Sequence, residues 1–351
     1  MNLESFELVR ILVLTSVAFV LAIALTPFWT HVLYKYKLGK RIRNGGDTPI
    51  FSMMHAKKAG TPTMGGVLIW GVVLVLAIVL LYFYNFFPES IIGRFSFLTR
   101  SQTLLPLGAL VASALVGLVD DYMNVRGVGT KGGGMRMRYR LLMYTAIAVV
   151  GALWFTLKLD WDLLHIPFVG DFNIDWWYFP FFVFVVVATA FSVNETDGLD
   201  GLAGGTLLTS FGALAIISFA QGKYDLAVFC GVIIGALLAF LWFNINPARF
   251  FMGDTGSMAL GVTLALVALL TNSALLLPII GLIFVLESLS VIVQIFWKKV
   301  FRQKLFLSTP IHHHFEANGW PEPKIVMRFW VISIISASLG VSIALLDALM
   351  K

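Results

Sequence analysis

The chain has 351 residues, of which 59% are hydrophobic and 13% charged, with a formal net charge of +6. A soluble domain carries about 45–50% apolar and about 25% charged residues, so a cytosolic globular enzyme and a disordered chain are both excluded. Mean hydropathy is +0.88 and the pI near 9.4, a pI that on its own would suit nucleic acid. In a chain this apolar, basic residues held on one side of a membrane account for the excess, and no nucleic-acid partner is expected. The single cysteine, Cys230, cannot form an intrachain disulfide and lies in an apolar run.

The N-terminus imitates a signal peptide, with an apolar run over 11–25 and small residues at Ala22 and Ala24. Glu4 and Glu7 outweigh Arg10 where such a peptide carries positive charge, so the segment reads as a retained first span. A helix needs about 20 apolar residues to cross the hydrocarbon core. Runs near 9–31, 64–84, 103–119, 141–158, 178–193, 205–220, 225–243, 256–272, 275–297 and 329–348 predict ten transmembrane helices. The fold class is all-α and polytopic, with residues 1–351 forming a single integral-membrane domain. Of the 25 Lys and Arg, 19 fall in the alternate connections 32–63, 120–140, 194–204, 244–255 and 298–328. The positive-inside bias puts these connections in the cytoplasm and both termini outside, in the periplasm.

Among the outer connections, 163–177 has β-prone residues on both sides of Gly170-Asp171 and predicts a small periplasmic hairpin. Its His165 reads as structural or solvated. Trp161, Trp176, Trp177 and Tyr178 suit an interfacial belt. No internal repeat or inverted duplication of spans is visible, which weakens a secondary-transporter reading.

The chemistry gathers at the cytoplasmic ends. Asp120-Asp121 closes the third span, Asp254 opens the eighth, and Asp197 and Asp200 stand three apart in NETDGLDGLAGG. If that segment is helical, the two carboxylates share a face. One Asp pair could simply end a helix, but four acidic span ends on one side point to a shared site. Carboxylates are hard oxygen ligands, suited to Mg²⁺ held together with substrate phosphates. On the same side, Lys58 and Lys131 flank glycine turns that can cradle phosphate oxygens, whereas Arg136 and Arg140 read as ordinary juxtamembrane cations. The triplet His312-His313-His314 offers imidazoles as acids, bases or phosphate donors, although consecutive residues cannot share one helical face. Glu287 and Gln294, seven apart in the ninth span, form either a functional face or a packing contact.

Five segments carry a resemblance: KKAGTPTMGG (57–66), GLVDDYMNV (117–125), NETDGLDGLAGG (194–205), FNINPARFFMGDTGS (243–257) and PIHHHFEANGWPE (310–322). In order and over nearly the whole chain, they resemble the phospho-N-acetylmuramoyl-pentapeptide transferases, also called translocase I. These belong to the polyprenyl-phosphate N-acetylhexosamine-1-phosphate transferase superfamily. The resemblance implies a Mg²⁺-dependent enzyme of the bacterial inner membrane that works at its cytoplasmic face, a homodimer in membrane lipid. It would transfer phospho-MurNAc-pentapeptide from UDP-MurNAc-pentapeptide to undecaprenyl phosphate, giving lipid I and UMP, the first membrane step of peptidoglycan synthesis.

By matching positions, Asp120, Asp121 and Asp254 are the implied catalytic carboxylates and metal ligands, with Asp254 the direct Mg²⁺ ligand and Asp120 assisting the lipid phosphate. A carboxylate nucleophile would be Asp121 or Asp254, and His313 joins the catalytic set. Nucleoside contacts would come from Lys58, Asn194, Asp197, Leu199, Asp200, Asn244, Phe251 and Gln294. Thr63, Lys131, His312 and His314 would face the phosphates or the sugar-peptide. Arg138 stands where the family usually has Lys, and the two are not interchangeable at a tight phosphate site. A GlcNAc-1-phosphate transferase is the alternative, against which PIHHHFE argues; an anionic-solute transporter is the alternative of a different class.

Overall fold

The computed structural model describes residues 3–40, 58–87, 89–129 and 133–350. Every apolar run predicted as a span is helical. The helices are α1 (Leu3–Lys35), α2 (Gly66–Phe86), α3 (Leu104–Arg126), α4 (Met137–Lys158), α5 (Tyr178–Thr196), α6 (Leu202–Ala220) and α7 (Tyr224–Asn244). They continue with α8 (Asp254–Leu270), a short α9 (Leu277–Ile280), α10 (Leu282–Phe301), the short α11 (Ile311–Ala317) and α12 (Glu322–Leu349). Among the described residues, eight helices, α1 to α7 and α12, are long and apolar enough to cross a membrane. Of the other two runs, α8 has 17 residues, and α10 has 20 but carries Glu287, Lys298 and Lys299.

Side-chain pattern decides where each helix sits. In α8 every residue from Thr255 to Leu270 is buried, as expected for a helix that is apolar all round. It packs against α2, α3, α5 and α6 and forms the middle of the bundle. In α1, by contrast, Leu14, Ala18, Ala22, Thr26, Thr30 and Leu33 make one buried stripe that lies on α7. Small residues in such a stripe let helix axes approach without a hydrophobic drive from water. The buried stripe of α10 is narrow and partly polar, with Glu287, Ser288, Ser290 and Gln294 turned inward.

The two ends of the bundle differ in construction. At one end, Arg10 of α1 pairs with Glu7 at 2.7 Å and with Asp225 of α7 at 2.6 Å. Nearby, Lys223 Nζ donates to the last α8 carbonyl, Leu270 O, at 2.6 Å, and Gln221 Nε2 donates to Thr271 O at 2.8 Å. The hairpin docks here as well. β1 (Leu163–Ile166) pairs antiparallel with β2 (Gly170–Asn173) in the register Leu163↔Asn173 to Ile166↔Gly170. The reversal therefore falls at 167–169, and Gly170-Asp171 belongs to β2. Pro167 lacks an N–H for the ladder and Phe168 takes a positive φ of 64°, which moves the turn ahead of the predicted one. His165 is structural, its ring lying 2.7 Å from Asp171 and 2.7 Å from Asp347 of α12. The first turns of α1 and the last turn of α12 thus share this end. At the opposite end, the C-termini of α3, α5 and α7 meet the N-termini of α4, α8 and α12 around a polar cavity of about 320 Å³.

Candidate active site

The cavity has two groups of polar residues. The first begins with Asp120 and Asp121 in the final turns of α3. Gly117 lets that helix touch the start of α8, because a Cβ there would collide with the Asp254 carbonyl. Adjacent residues on a helix point about 100° apart, so the two carboxylates serve different partners. Asp121 caps α8: Oδ1 accepts from Asp254 N at 3.1 Å, and Oδ2 from Thr255 N at 3.0 Å. Thr63 Oγ1 donates to the same carboxylate at 3.3 Å. This placement satisfies two orphan N–H donors and puts negative charge at the positive end of the helix dipole. It requires glycine at 253, where φ is +76° and a Cβ would fall on the Asp121 carboxylate and the Thr63 hydroxyl.

Asp120 turns instead toward α4. It accepts the Met135 N–H, and its Oδ2 lies 2.5 Å from Arg140 Nη2. The same nitrogen is 2.8 Å from Asp254 Oδ2. Asn194, at the end of α5, completes the group by donating to Asp254 Oδ1 at 2.6 Å and accepting from Arg140 Nη1 at 3.3 Å. Two carboxylates therefore share one guanidinium, and a third, Asp121, stands beside them on neutral donors. Burying that excess of negative charge is costly unless a further cation arrives.

The second group surrounds the 197–201 connection. This segment is a turn rather than a helix, so Asp197 and Asp200 do not share a helical face as the spacing predicted. Glycines at 198 and 201 disfavour the helix, and Gly201 has a φ of +81°. Both carboxylates still line the cavity. Lys58 Nζ bridges Asp200 Oδ1 at 2.7 Å and Glu322 Oε1 at 2.5 Å. Asn246 Nδ2 donates to both acids at 3.0 Å, and Asn244 Oδ1 accepts from Gly201 N at 2.9 Å. Burial pushes the Asp197 carboxyl up to about 6, against the pull of Lys40 and the Gly253 N–H. Phe251 presents its ring to the cavity with Lys58 Nζ 6.0 Å and Lys40 Nζ 5.9 Å from its centroid.

The three histidines point in three directions. His313 lines the cavity, its Nδ1 lying 2.6 Å from Glu316. His312 is fully buried, with Nδ1 2.9 Å from Glu287 Oε2. His314 turns outward and accepts from Leu307 N at 3.2 Å. Gln294 accepts from the Leu305 and Phe306 N–H groups at 3.0 and 2.9 Å, so it and Glu287 hold the 305–312 segment from below.

Of the residues singled out in the sequence, Lys58, Asp121, Asn194, Asp197, Leu199, Asp200, Asn244, Phe251, Asp254 and His313 all line the cavity. Asp120 lies directly behind Arg140, and Thr63 behind Asp121. Gln294, His312 and His314 surround the wall without lining it. Arg138 is exposed in the first turn of α4, its guanidinium 4.8 Å from the Tyr139 ring centre. Lys131 lies outside the described residues. Sequence reasoning missed Arg140 as a member of the site, along with Lys40, Asn246 and Glu322. For Arg140 a signal existed: it stands four and eight residues before Tyr144 and Ala148, which begin the buried stripe of α4.

A polytopic helical bundle whose acids, cations and glycine turns converge on one polar chamber has the architecture of a membrane enzyme. The chain matches Glycosyl transferase family 4 over residues 103–272 and the phospho-N-acetylmuramoyl-pentapeptide-transferase signature 1 over residues 58–69. It is 39% identical to the phospho-N-acetylmuramoyl-pentapeptide-transferase of Chloroflexus aggregans, over 97% of this chain and 91% of the relative. The transferases of the same name from Bacillus cytotoxicus and Bacillus thuringiensis are 39% and 38% identical, each over 95% of this chain and 97% of the relative. The chain belongs to the phospho-N-acetylmuramoyl-pentapeptide transferase family and is a membrane transferase. These matches favour the muramoyl branch over the GlcNAc-1-phosphate branch.

Proposed function

We propose that this chain transfers phospho-MurNAc-pentapeptide from UDP-MurNAc-pentapeptide to undecaprenyl phosphate, releasing UMP and forming lipid I. The pyrophosphate bridge breaks with UMP as leaving group, and the sugar-bound phosphorus passes to a lipid phosphate oxygen, either by direct attack or by way of a carboxylate nucleophile, Asp121 or Asp254. The observation that carries this reading is the pairing, in one cavity, of an acid–guanidinium group (Asp121, Asp254, Arg140) with a Lys–Asp–aromatic group (Lys58, Asp200, Phe251). The first suits phosphates and the second a nucleoside, whose base can stack on Phe251.

Mg²⁺ fits the donor chemistry of the first group, where Asp120 and Asp254 share a single guanidinium and the hard carboxylate of Asp121 lies next to them. Among the described residues no three or more His, Cys, Asp or Glu converge as a complete ligand shell, and Mg²⁺ is ordinarily held by one or two carboxylates plus substrate phosphates. Asp254, which faces the cavity, would hold the ion with Asp121 and Asp120 beside it. When bound, the ion neutralises pyrophosphate charge and improves the leaving group. Arg140 positions Asp254 and presents a guanidinium to incoming phosphate, and Asp120 assists the lipid phosphate through Arg140. His313 acts from the α11 side of the cavity, and Lys131 and Arg138 serve the phosphate or sugar-peptide side.

The same reading takes α8 and α10 as the eighth and ninth of ten spans in a single domain, with the cavity on the cytoplasmic face of a bacterial inner membrane and both termini outside. A homodimer in membrane lipid completes it. The deciding assay follows UMP release by purified protein with undecaprenyl phosphate, Mg²⁺ and either UDP-MurNAc-pentapeptide or UDP-GlcNAc. Release from the muramoyl donor alone, lost in Asp254→Asn, is expected; release from UDP-GlcNAc alone would overturn the reading.

A further inference from the structure

The chemistry above leaves one buried acid unused. Glu287 sits within α10 and is fully buried, where an ionisable residue facing the bundle interior calls for a functional account. Its partner His312 is also fully buried, 2.9 Å away at Nδ1. The far side of that imidazole abuts Gly198, where a Cβ would fall on Nε2. Gly198 is the centre of the turn that presents Asp197, Leu199 and Asp200 to the cavity. The His312 ring also lies 4.0 Å from the ring of His313, which lines the cavity. One imidazole thus touches an acid of α10, the connection between α5 and α6, and a cavity-lining neighbour.

We propose that Glu287 and His312 are positioning residues for a uridine nucleotide: the Glu287 bond fixes the rotation of the imidazole, and the imidazole fixes the 197–200 turn against the nucleoside. This rests on the reading of the cavity as a UDP-sugar site. The glycine at 198 follows from it, because any side chain there would push the ring off its acid. Neither residue needs to touch the reacting phosphates. A contact that merely glued α10 to α11 would affect stability without favouring one substrate.

The test uses the full chain in detergent, with UDP binding measured calorimetrically and UMP release measured while donor and lipid are varied separately. Glu287→Ala is expected to raise the UDP Kd and the donor KM roughly ten-fold, a loss of about 1.4 kcal/mol, and to leave the lipid KM unchanged. Glu287→Gln is expected to recover most of the loss, since an amide can bond Nδ1 in either tautomer. Gly198→Ala should weaken UDP in the same way. Its effect should be far from additive with His312→Ala, because removing the ring removes the collision. A Glu287→Ala protein with a lower melting temperature but wild-type UDP affinity, an equal rise in both KM values, or strict additivity would each overturn the proposal. So would a wild-type protein that binds no UDP. A wild type that binds UDP but turns over no muramoyl donor would sink the transfer reaction alone, and the UDP arm would still decide the positioning role.

Discussion

Replacing Arg140 by Gln removes the one guanidinium that Asp120 and Asp254 share. Its Nη2 lies 2.5 Å from one carboxylate and 2.8 Å from the other, and the three side chains are only 15%, 0% and 17% exposed. Without it, Asp120 keeps the Met135 N–H and Asp254 keeps the Asn194 amide, both neutral donors. Removing one partner of a buried ion pair costs about 3–5 kcal/mol. Access to Asp254 from the cavity screens part of this, so we expect about 3 kcal/mol, or roughly a 100-fold shift in the folding equilibrium. A divalent cation supplies the missing charge. Thermal unfolding in detergent should therefore show a clear fall for Arg140→Gln in chelator, with a larger recovery on adding Mg²⁺ than the wild type shows. Arg140→Lys should fall between them, since one ammonium cannot reproduce the planar fork. Equal melting temperatures for wild type and Arg140→Gln in chelator would refute the charge-balance reasoning.

Gly253→Ala should reduce UMP release by at least about 100-fold, because a methyl at a φ of +76° displaces the Asp121 cap of α8. Thr63→Val, which removes one 3.3 Å bond to Asp121, should cost under about ten-fold in kcat/KM. Asp197 has a folded pKa of about 6 against an ordinary 3.8, so burial favours its protonated form. Its contribution to stability is highest at low pH and declines as pH rises from about 4 through about 6; Asp197→Asn should flatten that decline in pH-dependent melting of ligand-free protein. Lys223→Met removes the 2.6 Å bond to Leu270 O at the far end of α8, and is expected to lower the melting temperature while kcat holds.

What the sequence made legible was whatever depends on local composition. Nine of the ten apolar runs became one helix each, 275–297 being divided at Gly281 into α9 and α10, and the Asp pair, Asp254, the Asp-Gly turn and His313 all gather at one end. What it hid depends on contacts between distant segments. Arg140 has the same surroundings in sequence as Arg136, and only the buried stripe of α4 separates their fates. Glu322 and Asn246 join the site through Lys58 and Asp200, partners 264 and 46 residues away. The hairpin is present, but Pro167 shifted its turn by three residues toward the N-terminus.

The enclosure of α8 bears on how the enzyme is made. The helices packed most closely on it, α2, α3, α5 and α6, precede it in the chain, so each is synthesised before it. A helix buried on every side gains its apolar contacts from the helices around it rather than from lipid. Until residue 254 leaves the ribosome, Asp121 has no helix to cap and Asn194 no carboxylate to hold. The acidic group around Asp121 and Asp254 is therefore complete only once α8 is in place, and His313 and Glu322 join the site later still.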